Sequence, residues 1–551
     1  LSDPPEQFLR RVRETVARGL DEQTALAALT TVPAGLLGMQ DQLGTLEPGR
    51  RAQFLIADAD LLRSAAARIH EVWVDGRRYA RSLPARANAA STEATSKPPL
   101  PGVLRYPAGE YGRESLPEQP QSLHLRNATV WTQGPQGVLE QADLLVEQGR
   151  IKAVGRALKA PANTVEIDAR GLHVTPGVID PHSHAAIDLR GRAPDRESRL
   201  FAENALLVTG EVRISDVLKA DHMRIYHQLA AGLTSLLVLP GSGTQMVGKG
   251  QAIKLRWGGR AADLPIPTAP CAMKSAIGDN ATMYAWGGDL ANRTRYPHTR
   301  MGIMDPLRDA FNRARAYETQ YQQQSRSGPP PRRDLRMEAL LEVLSGRCVM
   351  HIHSHRQDDM ETFLEVAREY ELKPVFHHAS EAYKMAPELA AAGAGSAVAS
   401  DWWGFKMESL NEIPQNATLL TQQGVLTSLH SDDGDLAYRP MVEAAKSVRN
   451  GLTEVQAMNL LTINPARLLG IADRTGSLEV GKDADFVIWS AHPLSVYAQV
   501  RQTWIDGRRY FDLDADRQEQ VRIERERARM IALIRSCNNS GSDARCTGGT
   551  P

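Results

Sequence analysis

Between residues 176 and 433 the sequence repeats one pattern eight times: a short apolar run, then polar or helical sequence. The runs are GVIDPHSH, TSLLVLPG, QAIKLRW, CAMKSAIG, CVMHIHSH, LKPVFHHAS, AGSAVASDW and GVLTSLHSD. Helical patterns such as METFLEVAREYEL and EAYKMAPELAAAG separate several of them. Runs this short and this apolar, bounded by turn residues, read as strands buried on both faces. Eight strand–helix units predict an α/β chain built on a (β/α)8 TIM-type barrel. The connection between the fourth and fifth runs, residues 278 to 346, is unusually long and carries helical stretches, an insertion placed to cap the barrel mouth.

Short alternating runs flank this body. LHLRNATVWTQ, ADLLVEQGRIKAVG and NTVEIDARGLHVTPG precede it, and ADFVIWS and VRQTWIDGRRYF follow it. Period-two alternation between turn residues predicts antiparallel strands. The two sets, residues 121–177 and 465–512, are expected to pair into one small composite β-sandwich beside a barrel of residues 178–464. Residues 81–120, rich in Pro, Ala, Ser and Glu, read as a linker. Residues 513–551 begin as a charged helix and end as a polar tail of flexible character.

An internal repeat adds a further constraint. Residues 19–57 and 451–489 align without a gap at an offset of 432, with 19 identities in 39 positions. VWVDGRRY (72–79) then matches TWIDGRRY (503–510). Residues 1–80 therefore read as the C-terminal remnant of a first copy, and the complete copy follows it. The only histidine before residue 100 is His70, so the remnant is expected to be structural.

Composition narrows the function classes. The chain has 551 residues, 65 Lys plus Arg and 65 Asp plus Glu. A balanced charge gives no argument for nucleic acid or a membrane surface as partner. No run of 18 apolar residues suggests a membrane span. The chain opens LSDPPEQFLR, with neither Met nor a signal-peptide pattern, which reads as a fragment or a processed form. Cys271 and Cys348 lie in apolar runs and read as core thiols. Cys537 and Cys546 sit in the polar tail. A disulfide between them would fit an oxidising, periplasm-like compartment, and two free thiols fit the sequence equally. A homo-oligomeric state stays open.

The histidines fall at the C-terminal ends of the strand candidates, where barrels of this class carry their active sites. In PGVIDPHSH, His182 and His184 are one residue apart, so both point to one side of a strand. Two imidazoles on one face can share a divalent metal. HIHSH (351–355), FHHAS (376–380) and LHSDDGD (429–435) end further runs. Lys274 lies inside an apolar run, where a lysine is costly unless it is used. Each feature alone has a plainer reading: a hydrogen-bonded core histidine, an acidic turn, a snorkelling lysine. Their coincidence on successive strand ends favours a metal site.

PGVIDPHSH, HIHSHRQDD, VFHHAS and SLHSDD, with NPARLLGIADRTGSLEVGKDADFVIW, resemble the amidohydrolase superfamily, and most closely its imidazolonepropionase-like members. The resemblance covers about 122–512 as a full domain and 1–80 as a tail piece. It implies the barrel and composite sandwich expected above. It also implies metal ligands His182, His184, His353, His378 and Asp432, with Lys274 as a carboxylated bridge between two ions. His355 and His351 compete with His353, His377 with His378, Asp433 with Asp432, and Lys254 with Lys274. The implied cofactor is divalent metal, zinc by preference, as one or two ions that bring the pKa of water from about 15.7 towards 7. Asp432 would act as general base and then acid. A non-ligand histidine of strand five or six would stabilise the oxyanion. The implied reaction is hydrolysis of a C–N bond in an amide, cyclic amide or dipeptide, on a small or peptide-like substrate. Arg356, Tyr383, Trp402, Trp403, Lys406 and Arg439 follow strand ends and are candidates for substrate contact. A lactonase-like or phosphotriesterase-like hydrolase would use the same metal site. A catalytically silent tandem domain with a structural or binding role is the rival of a different class, and the presence of every ligand type speaks against it.

Overall fold

The computed structural model describes residues 5–64, 67, 69–80, 105–107, 110–187, 202–203, 206–282, 296–329, 331–399, 402–432 and 435–540. Most of the 81–120 segment, Asp433, and Cys546 with the tail pairing expected of it lie outside them. The chain divides into two units, Leu1–Leu100 and Pro101–Pro551.

The first unit has helices over Pro5–Ala17, Glu22–Leu29 and Thr31–Leu36, then a three-stranded antiparallel sheet of β1 (Phe54–Ala57), β2 (Ile69–Val74) and β3 (Arg77–Ala80). Asp21 caps the second helix by accepting from Thr24 N at 3.0 Å, satisfying one of the amides a helix start leaves open. β2 and β3 join through Asp75–Gly76, both at positive φ, the two-residue turn whose twist matches a hairpin.

The second unit opens with β4 (Ser122–Trp131), β5 (Val138–Glu147), β6 (Arg150–Gly155), β7 (Val165–Asp168) and β8 (His173–Pro176). The barrel strands follow: β9 (Val178–Ser183), β10 (Leu233–Val238), β11 (Gly248–Lys254), β12 (Cys271–Ala276), β13 (Cys348–Ser354), β14 (Val375–His378), β15 (Gly395–Val398) and β16 (Leu426–Leu429). They form one eight-stranded sheet in chain order, so every run named from the sequence is a strand. The chain closes with β17 (Phe486–Trp489), β18 (Val500–Ile505), β19 (Arg508–Asp512) and a helix over Leu513–Ser540. β17 pairs antiparallel with β8, which joins the segments before and after the barrel into one sheet, as expected. That sheet has its own core, with Leu123, Leu125, Leu144, Leu478, Phe486 and Ile488 fully buried.

One barrel strand departs from a uniform strand–helix repeat. β11 runs antiparallel to both β10 and β12. Only residues 239–247 separate it from β10, too short for a crossover helix and sufficient for an antiparallel return. The reversal places the C-terminal end of β11 at the opposite end of the barrel from its neighbours' C-terminal ends. Lys254 sits there. Its buried Nζ lies 2.7 Å from Asp483 Oδ2, 2.9 Å from Asp485 Oδ2 and 2.5 Å from Asp506 Oδ1. Lys254 is thus a structural ion in an aspartate cage, and Lys274 is the lysine of the other end.

The expectation of two core thiols is corrected. Cys271 and Cys348 are register partners on the neighbouring parallel strands β12 and β13 and are joined as a disulfide. Two apolar strands placed side by side bring the two sulfurs together, a contact the linear sequence does not display.

Candidate metal centre

The site is built on the ends of β9, β12, β13, β14 and β16. His182 Nε2 and His184 Nε2 each lie 3.2 Å from Asp432 Oδ1, and Lys274 Nζ lies 3.3 Å from His182 Nε2. The strand pleat explains the first pair, and the fold closes on itself to supply the rest, with Asp432 N donating to His182 O at 3.1 Å. His184 Nδ1 lies 2.9 Å from Leu239 O. A carbonyl only accepts, so Nδ1 carries a proton and Nε2 is the nitrogen turned towards Asp432, the one available to a metal.

Strands five and six supply five more imidazoles. His351, His353 and His355 share one side of β13 and its extension, and His377 pairs in register with His353. His377 bridges two others: its Nδ1 lies 3.1 Å from His182 Nδ1 and its Nε2 lies 2.8 Å from His351 Nδ1. With both nitrogens so used, His377 supports its neighbours. His378 is free of that role. Its φ of 64°, followed by 44° at Ala379, turns the next side chain into the mouth as well, where strict alternation would send it outward. Asp432, at φ 51°, joins His378 and Ala379 in the left-handed region. Such strain gathers at functional sites that the surrounding structure holds in place.

His353 packs on His378 with ring centroids 4.4 Å apart. His355 stacks on the same ring at 5.2 Å. His355 Nδ1 lies 2.9 Å from Ser380 Oγ, which donates to Glu412 Oε2 at 2.7 Å. Two features escaped sequence reading. His430, two residues before Asp432, stands 5.2 Å from His182 and 4.8 Å from His378, centroid to centroid; the period-two rule applied to LHSDD would have found it. The Ser380–Glu412 pair joins positions 32 residues apart and has no sequence signature.

Burial sets the protonation states. It lowers the pKa values of His182, His353, His355, His377 and His378 well below the ordinary range, helped by Lys274 beside His182 and Lys406 beside His353. His351 falls to about 3 and His430 to about 4, again chiefly through burial. Burial also brings Lys274 down to about 7. For Asp432 burial acts upward, and the neighbouring His184, His430 and Lys274 outweigh it, holding the carboxyl below its ordinary value. Neutral imidazoles and an ionised carboxylate are the forms that bind metal.

The donor set fits a divalent ion. His182, His184 and Asp432 offer ligand atoms within 4.8 Å of one another, and so do His182, His378 and His430. Among the described residues, His353 Nδ1, His378 Nδ1, His355 Nε2 and both ring nitrogens of His430 are buried without a hydrogen-bond partner. Buried unpaired polar atoms cost about 1–3 kcal/mol each, a cost that ligation removes.

Of the candidate substrate contacts, two reach the site. Trp402 stacks on His378 at 5.1 Å. Lys406 Nζ lies 3.5 Å from His353 Nε2 and 2.7 Å from Asn280 Oδ1. Lys406 also lines a cavity of about 660 Å³ with Asn280, Thr282, Arg300 and Glu408. Trp403 is largely exposed. Arg356 pairs with Asp358, Arg439 with Glu443, and Tyr383 donates to Asn411 O.

Known proteins resemble this chain in sequence and fold. Models described as amidohydrolase family match residues 9–80 and 410–510. The chain is 32% identical over 434 residues to amidohydrolase tasK of Hapsidospora irregularis, a match covering 70% of this chain and 43% of that protein. The chain thus spans less than half the length of that relative. It is 26% identical over 389 residues to the imidazolonepropionase of Cupriavidus pinatubonensis, covering 64% and 84%. Among solved structures, an amidohydrolase from Thermotoga maritima MSB8 aligns with a TM-score of 0.65 at 30% identity, over 71% of this chain and 100% of that one. Barrel, composite sheet, strand-end histidines and a full-length relative agree: the chain belongs to the amidohydrolase superfamily.

Proposed function

We propose that the chain is a metal-dependent hydrolase of C–N bonds in amides, cyclic amides or dipeptides. The observation that carries this reading is the convergence of His182 Nε2 and His184 Nε2 on Asp432 Oδ1, with Lys274 Nζ beside His182 Nε2. His182, His184 and Asp432 would hold one divalent ion, with zinc the preferred identity. His353 and His378 would hold a second, with Lys274 between them as a carbamate. A bound divalent ion supplies an acidified water and a polarised carbonyl.

The remaining steps belong to the chain. Burial brings the Lys274 pKa to about 7, so near neutral pH a large share of the amine is unprotonated, the form that can add carbon dioxide. Asp432 is ionised and placed to take the proton of the attacking water. As the C–N bond breaks, Asp432 returns that proton to the departing nitrogen. His377 holds His182 in its ligand tautomer, and Leu239 O does the same for His184. Neutral His430, beside both His182 and His378, can donate a ring N–H to a developing oxyanion. The imidazolonepropionase relatives act in support of the cyclic-amide class, and the amidohydrolase relatives in support of C–N hydrolysis generally.

The test is a panel of dipeptides, N-acyl amino acids, cyclic amides, lactones and phosphotriesters, run with and without chelator. C–N hydrolysis that chelator abolishes is the expected result. Turnover of lactones or phosphotriesters alone would contradict it, and so would chelator-resistant turnover.

A further inference from the structure

The first unit repeats the end of the second in three dimensions. β1 pairs with β2 as Phe54↔Trp73, Leu55↔Val72 and Ile56↔Glu71, with an irregularity after Ile56. β17 pairs with β18 as Phe486↔Trp504, Val487↔Thr503 and Ile488↔Gln502, with an irregularity after Ile488. Phe54 stacks on Trp73, and Phe486 on Trp504, each at 5.5 Å and 13°. Residues with equal places in the two hairpins can therefore be compared one by one.

Their surroundings differ in one consistent way. Leu36, Leu37, Leu46, Leu55, Ile56 and Tyr79 are between 46% and 83% exposed. Their counterparts Leu468, Leu469, Leu478, Val487, Ile488 and Tyr510 are none of them more than 6% exposed. Those counterparts are covered by two bodies: Leu478 and Ile488 by Leu123, Leu125 and Leu144 of β4 and β5, and Leu469 by Ile179 and Leu237 of barrel strands. The backbone carries the same signal. β17 lies between β18 and β8, whereas β1, among the described residues, pairs with β2 alone. An apolar face and an open strand edge side by side mark an interaction surface.

Charge says which host fits. Asp483 and Asp485, which cage Lys254, correspond to Arg51 and Gln53. Asp506 corresponds to Asp75, and Arg51 Nη1 lies 3.3 Å from Asp75 Oδ1. The three-carboxylate cage has become an internally neutral pair. A barrel of the present kind would bring a buried lysine against Arg51, a like-charge contact.

We propose that the exposed face of residues 19–80 is the docking surface for a second amidohydrolase barrel with its leading sheet strands, one that lacks a cation at the position of Lys254. The partner's strand corresponding to β8 adds antiparallel to β1, and its barrel floor covers Leu36 and Leu37. This inference rests on the fold and not on the hydrolase reading.

Two measurements on the full chain test it. Hydrogen exchange with size analysis should show a monomer in which the Phe54–Ala57 amides exchange rapidly while Phe486–Trp489 stays protected. Protection of Phe54–Ala57 in the monomer would mean that this chain covers its own face, and protection that appears with dimerisation would mean that a second copy does; either overturns the proposal. The second measurement transfers the first unit's charges into the cage. Asp483→Arg with Asp485→Gln should lower the melting temperature by several degrees, and adding Lys254→Met should restore most of the loss. A triple variant no more stable than the double variant would overturn the assignment of the host.

Discussion

Lys274 shows what burial does to a single group. Its amine titrates at about 7 in the folded chain against an ordinary 10.5. Between those values the unfolded chain binds the extra proton, so stability rises with pH across that window. Chelator-treated protein should gain stability from pH 7 towards pH 10, and Lys274→Met should flatten that slope, as read from denaturant midpoints. A slope that survives the substitution would assign it to other groups. Asp432→Asn should cost about 100- to 10,000-fold in kcat, the range of a lost general base or acid, with the fold kept by far-ultraviolet circular dichroism. His377 touches two imidazoles and is placed to act through them. His377→Gln should weaken metal affinity by about 10- to 100-fold, measured by competition with a chromogenic chelator. His182, His184 and Lys274 stood out in the sequence because strand alternation and a costly buried lysine mark them locally, and Asp432 was a candidate only through the family resemblance. His430 and the Ser380–Glu412 pair did not stand out, since their roles depend on which strand ends meet.

At the scale of elements, β11 decides which lysine does what. Sequence pattern recognises an apolar strand in QAIKLRW but carries no sign of its direction. The short return after β10 reverses it, and Lys254 goes to the barrel floor among Asp483, Asp485 and Asp506. Burial acts against the charged lysine, and the three carboxylates outweigh it, so its pKa is raised. Lys254→Met leaves those carboxylates buried and uncompensated. The expected loss is about 3–5 kcal/mol, the range for breaking a buried ion pair, measured by chemical denaturation. The folded fraction should keep its kcat, because the cage lies at the end opposite the histidines. The Cys271–Cys348 bridge was hidden for a related reason: a register between β12 and β13 must form before two distant apolar cysteines become neighbours. Intact mass after alkylation in denaturant without reductant should show both sulfurs unmodified.

The second unit carries the candidate metal centre on a barrel, and the strands that follow the barrel join the sheet that precedes it. Eight apolar runs in order, flanked by alternating segments, were enough to read that architecture. The repeat was equally plain, while the exposed apolar face of its first occurrence became visible only when both hairpins could be compared. The central claim is that the strand-end histidines, Lys274 and Asp432 form a metal centre. Elemental analysis of protein purified without chelator tests it most directly. The account predicts about two divalent ions per chain, the content of a two-metal site, falling in His182→Ala, His184→Ala and Lys274→Met. A chain that carries no metal, and takes up none from excess zinc or manganese, would contradict it.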